Sequence, residues 1–206
     1  MKAIDFIEEY NWYIEITLAV ASRLTDVNHQ SIRLDNPLLQ INQMGGESEL
    51  LQSKRAEFPD QLYLLTKYTN MTDIRVDAFE FDAQLRLIED EDPFIPESAR
   101  RKVVQLGWYG GELLVFDTWR RSIECYPNGW GHAFTVARDD SSFLELLLVL
   151  RRFDTLQELA NKPPYGPEQP LFYDSRVYRR LRLKELERAG GCSGARLFFG
   201  RSWGEE

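Results

Sequence analysis

The sequence predicts an α+β fold: a predominantly antiparallel sheet of five or six strands, packed by N-terminal, middle and C-terminal helices. Three observations carry this expectation. Glu112–Thr118 is apolar on both faces, with Leu113 and Val115 pointing one way and Leu114 and Phe116 the other, so it belongs in the middle of a layered structure. Short strand-like runs flank it and are closed by turn residues, Gly107, Gly110 and Gly111 before it, Trp119–Arg121 and then Pro127, Asn128 and Gly129 after it. A strongly apolar helical segment, Phe143–Phe153, follows the last of these runs.

In chain order, Met1–Leu24 reads as an amphipathic helix. Ile4, Ile7, Ile14, Leu18 and Ala21 fall at helical spacing, and a second row of Phe6, Tyr10, Tyr13 and Val20 widens the apolar face. Asn11 interrupts that face, either as a register-setting residue in a helix pair or as a core-edge residue with a local hydrogen bond. Thr25–Met44 is polar and irregular, Gly45 and Gly46 close it, and Glu47–Glu57 is a helix candidate. Pro59 suits the first turn of a helix running to Tyr68, with Leu62, Leu65 and Tyr68 on one side. Ile74–Phe81 and Gln84–Ile88 alternate as strands, followed by Val103–Leu106, Ser122–Tyr126 and Ala133–Ala137. Ser141 or Ser142 is placed to cap Phe143–Phe153, and Glu145 sits favourably toward the helix dipole. The Pro-rich stretch Asn161–Pro170 is a surface connector. Ser175 then opens a last helix that runs through Ala189 and stops at Gly190–Gly191, with Val177, Tyr178, Leu181 and Leu186 as its apolar positions. The expected organisation is a single domain over 1–206: an N-terminal helical extension (1–57), a core (58–153), and a connector with a basic C-terminal helix (154–206).

Composition narrows the function classes. The chain has 206 residues and a net charge of −8, which argues against a general nucleic-acid binder. No apolar run approaches the roughly 18 residues of a membrane span, and MKAIDFIEEY carries acids where a signal peptide is basic and then apolar. Cys125 and Cys192 are the only cysteines, which gives neither a disulfide framework nor zinc spacing, so the cytoplasm is the expected compartment. Charge is unevenly spread: residues 175–206 carry net +4 and residues 1–174 net −12. That split predicts a basic tail docked on an acidic body, or a basic partner for the body.

Four short phrases carry a family likeness. They are Phe58-Pro59-Asp60-Gln61-Leu62-Tyr63, Leu106-Gly107-Trp108-Tyr109-Gly110-Gly111, Leu114-Val115-Phe116-Asp117 and Ser142-Phe143-Leu144-Glu145-Leu146-Leu147. In this order they resemble the SMI1/KNR4-like (SUKH) superfamily. Its pattern is a helix opened by Leu-Pro, a strand pair, a Gly-rich turn, a strand ending in Asp, a return strand, and a helix opened by a Ser-Phe phrase. The likeness covers 58–153. It departs at Asn70, where the family has Asn-Gly and this chain has Met71. The resemblance implies the fold above and a bacterial immunity protein that binds and neutralises the cognate toxin of its own locus, a nuclease in the version favoured here. The fungal relatives imply the alternative, a regulatory or scaffolding interaction module.

Candidates for chemistry are few. Cys125 and His132 lie seven residues apart, the minimum for a thiol nucleophile with a base, but strand parity turns Cys125 inward beside Ile123. Gly129-Trp130-Gly131 lacks the third glycine and following helix of a dinucleotide site. Asp139-Asp140 reads as preceding and capping the helix, in place of an acid–base pair. No enzyme, cofactor or metal is therefore expected. Glu89, Asp90, Glu91 and Asp92 form the densest acidic run, a solvent-facing loop without the alternation of a calcium loop. Trp108, Tyr109, Trp119 and Trp130 lie beside turns and charges, and large aromatics of this kind anchor protein interfaces. These eight residues are the expected partner-binding set, with a protein as the partner.

Overall fold

The computed structural model describes residues 1–28, 38–41, 59–88, 95–100, 102–127, 133–160 and 176–201. The Glu47–Glu57 helix, the Asn161–Pro170 connector and the Ser175 cap lie outside these residues, as do Glu89–Asp92, Trp130 and His132. The described elements run α1 (Ala3–Asn28), α2 (Asp60–Tyr68), β1 (Arg75–Val76), β2 (Phe79–Leu87), β3 (Val103–Tyr109), β4 (Glu112–Asp117), β5 (Ser122–Tyr126), β6 (Phe134–Ala137), α3 (Asp140–Ala160), α4 (Arg176–Gly190) and α5 (Ser193–Arg201). The six strands form one antiparallel sheet in sequence order.

This α+β architecture follows from the apolar pattern. β4 is central and buried along its length. Leu114 and Phe116 enter the main core, and Leu113 and Val115 enter a second, smaller cluster with Ile88, Ile95 and Val103. One face of the sheet thus carries the helices, and the other is lined by Ile88, Ile95 and Ala99. Gly110 and Gly111, both with positive φ (58° and 90°), make the tight β3–β4 turn that any side chain would strain.

The helix N-termini are knitted together by side chains. The Asp139 carboxylate accepts the Ser142 amide at 2.7 Å, so Asp139, not Ser141 or Ser142, caps α3. Burial pushes the Asp139 carboxyl up, but the hydrogen bonds from Ser142 and the adjacent Arg138 outweigh it and hold it below the usual range. The Asp140 carboxylate accepts the Gln61 amide at 2.8 Å, which supplies α2 with an acceptor that Pro59 cannot offer, and Gln61 Oε1 accepts the Ala3 amide at 2.8 Å.

Several sequence expectations are corrected. The core-facing stripe of α1 is Ala3, Phe6, Tyr10, Ile14 and Thr17, whereas Ile4 and Leu18 are exposed, so the buried face takes Phe6 and Tyr10 from the second row and Ile14 from the first. Asn11 makes a long-range contact: its amide donates to Leu39 O at 2.9 Å and its oxygen accepts Leu39 N at 2.7 Å. Ile74–Phe81 is two strands around a turn at Asp77 (φ 55°), and the second strand continues through Gln84 to Leu87. In α4, Val177 and Leu181 are exposed, while Tyr178, Leu183 and Leu186 pack inward. Helix α5 was not expected at all. The main core runs from Ala3 to Phe199, so both terminal segments are built into it.

Among the described residues the tail docks on the body through the ion pairs Arg182–Asp77 and Arg152–Glu185 and through apolar packing. Arg182 reaches Asp77 at 2.6 Å, and Tyr109 donates to the same carboxylate oxygen at 2.7 Å. The Asp77 amide in turn donates to Asp154 on α3 at 3.0 Å. Burial and the neighbouring Asp77 charge push the Asp154 carboxyl up to about 7, against the opposing pull of Arg182 and Arg151.

Candidate partner-binding surface

The two ends of the sheet hold different parts of the predicted partner-binding set. At one end are the C-terminus of β2, the N-terminus of β3 and the β4–β5 turn. Ile88 is fastened there through its amide to Val103 O at 3.0 Å, and it is the residue that precedes the acidic run in the sequence. At the opposite end are the β3–β4 turn, Tyr126 and Phe134. Trp119 belongs to the first end; Trp108 and Tyr109 belong to the second.

Trp119 is 81% exposed, more than any other large apolar side chain among the described residues. Its display is enforced locally. Asp117 Oδ1 accepts the amides of Trp119 (2.8 Å) and Arg120 (2.9 Å), and Asp117 O accepts the Arg121 amide at 2.8 Å. This Asx-type closure drives Arg121 into left-handed backbone (φ 59°) and leaves the indole no core to enter. Thr118 ties the turn to the start of β3 through its amide and hydroxyl, both donating to Lys102 O at 2.8 and 2.9 Å. The Lys102 ammonium lies 5.9 Å from the indole centroid, and the Arg121 guanidinium covers the Phe116 ring at 4.9 Å. The tip is therefore a pinned aromatic flanked by cations, including the exposed Arg120.

Below the tip the outer face encloses a carboxylate. Glu124 is 2% exposed, and its Oε1 accepts the hydroxyls of Ser122 (2.8 Å) and Thr135 (3.0 Å). Arg120 stands 4.0 Å from the same carboxylate. Burial, with the charges of Glu124 and Asp117, pushes the Tyr126 hydroxyl up. Sequence reading missed Glu124 because nothing in the alternation Ser-Ile-Glu-Cys-Tyr tells an enclosed carboxylate from a solvated one.

The other predicted residues fare unevenly. Tyr109 is corrected: it is buried, its hydroxyl is committed to Asp77, and its ring meets Phe198 and Phe199 at 5.0 Å each. It has no surface to offer a partner, and the reason is α5, which covers it. Trp108 is half-buried against the smaller core cluster with Leu113 and Tyr126. Cys125 is fully enclosed beside Ile123, with its thiol 3.5 Å from the Glu112 carboxylate. Trp12, absent from the predicted set, is 55% exposed on α1 among carboxylates, and its phase opposite Tyr10 and Ile14 was the available signal.

Among the described residues no group of three His, Cys, Asp or Glu is placed to hold a metal ion, and no helix is long and apolar enough to cross a membrane. Comparison with family models, with curated proteins and with solved structures finds no match to this chain.

Proposed function

We propose that the chain is an immunity-type protein of the bacterial cytoplasm that binds and neutralises a cognate protein toxin, a nuclease, through the sheet end carrying Trp119. The observation that carries this is the 81% exposure of a tryptophan on a hairpin tip held by five hydrogen bonds to Asp117 and Lys102. A rigid exposed indole loses little entropy on binding and buries a large area, which is the behaviour of an interface anchor. Two further features support the reading. Glu89–Asp92 follow Ile88 in the sequence, and Ile88 lies at this end, so the reading takes these carboxylates as suited to the phosphate-gripping cations of a nuclease. The order of elements around the four SMI1/KNR4-like phrases is the order that the resemblance implies.

The test is protection from the toxin encoded beside this gene, with binding kinetics on the purified pair. Trp119→Ala is expected to leave the melting temperature unchanged and weaken binding about 30-fold or more, mainly by faster dissociation. Neutralising Glu89, Asp90, Glu91 and Asp92 together is expected to slow association and flatten its salt dependence. Unprotected cells would discard the immunity role, and wild-type kinetics from both variants would discard this surface.

A further inference from the structure

Six exposed large apolar side chains lie on three neighbouring helices: Ile4, Trp12 and Leu18 on α1, Leu156 on α3, and Val177 and Leu181 on α4. Helices α1 and α4 flank α3 and leave a groove of about 430 Å³ along it, floored by Leu148 and Val149. The two helices that flank this groove carry opposite charge on their exposed faces. On α1 the exposed apolar residues alternate with Glu8, Glu9 and Glu15, none of which is ion-paired among the described residues. On α4 they alternate with Arg176, Arg180 and Lys184, which are likewise exposed and without an ion pair among the described residues. The uneven charge of the sequence is thus only partly consumed inside the molecule. Arg182 pairs with Asp77, while the outer basic stripe of α4 stays turned away from the body.

We propose that a second copy of the chain covers this helical face, with the molecular two-fold axis along α3. Each α1 then lies on the partner copy's α4, and both copies satisfy their acidic and basic stripes in one closed, self-complementary contact. The other two-fold arrangement, with the axis across α3, sets α1 on α1 and opposes like charges. Both halves of the complement are carried by one chain, and this selects a second copy over an unrelated partner. The apolar side chains supply the desolvated part of the contact, and the stripes supply its register.

The test is the solution mass of the full chain by light scattering and sedimentation, at low and high salt. The expected result is twice 24.1 kDa at low salt, with dissociation promoted by salt. Glu8→Arg with Glu15→Arg, and separately Arg180→Glu with Lys184→Glu, are each expected to loosen the dimer on the order of a hundredfold by opposing like charges twice. Mixing the two variants restores opposite charges on both sides and is expected to give a dimer again. All four positions are exposed, so a melting temperature close to wild type will show that the fold is intact. A wild-type chain that stays monomeric at low salt up to about 100 μM, a weaker demand than a typical stable interface meets, overturns the proposal. So does a dimer indifferent to both reversals, or a mixture that fails to recover.

Discussion

Asp154→Asn removes a titration without removing a hydrogen-bond acceptor. The Asp154 carboxyl is raised to about 7 by burial and by the Asp77 charge, from a starting value of 3.8. A carboxyl whose folded-state value lies above its unfolded one contributes stability that is complete below pH 3.8 and is lost as pH rises through about 7. At about 1.36 kcal/mol per pH unit, the whole span is worth about 4 kcal/mol, of which about 2–3 kcal/mol falls between pH 5 and pH 8. An asparagine oxygen can still accept the Asp77 amide, now 3.0 Å from the carboxylate. The Arg182–Asp77 pair that pins the tail is retained. The assay is urea denaturation of wild type and variant at both pH values. The wild type is expected to lose about 2–3 kcal/mol more than Asp154→Asn over this interval, and the variant to be the more stable protein at pH 8. Parallel pH profiles would refute the reasoning, because every other titrating group is common to the two proteins.

Two further perturbations test the layers. Phe116→Ala removes a buried ring from the centre of β4 and is expected to cost about 3–5 kcal/mol by denaturant midpoint; an unchanged midpoint would contradict its place in the main core. Gly194→Ala would drive a Cβ into the backbone carbonyl of Thr135. It is expected to cost at least about 1–3 kcal/mol and to raise amide exchange along β6, whereas exchange equal to wild type would show that α5 does not hold that edge.

The strands were legible because each side chain reports its own face. Ser122–Tyr126 is found as predicted, β4 ends one residue earlier, and the two faces of β4 enter the two clusters that its alternation assigns. The phase of α1 was not legible. Ile4 and Leu18 are as apolar as Ile14, and only the neighbours that close over one side decide which row is buried. Tyr109 and Trp119 illustrate the same limit within the candidate site. Both are aromatics beside a turn, one is enclosed by α5 and the other stands in solvent, and the deciding residues are about 90 positions away for the first and two positions away for the second. Long-range closure hides in a sequence, whereas a local turn such as Asp117–Arg121 can be read from it.

The C-terminal hairpin of helices covers the β6 edge of the sheet and one of its two ends. β1 has two residues and offers little edge, so β6 is the edge with carbonyls to protect. The turn between α4 and α5 does this: Arg138 N donates to Gly190 O at 2.8 Å, and the Cys192 thiol approaches the carbonyls of Thr135 and Val136 at 3.4 and 3.3 Å. α5 then lays Phe198 against Phe134 and Tyr109, so aromatics that would line an exposed rim become core. No such cover reaches the β4–β5 turn among the described residues, where Asp117 keeps the indole of Trp119 out of the sheet. The same tail that removes Tyr109 from the surface leaves Trp119 exposed at the other end of the sheet.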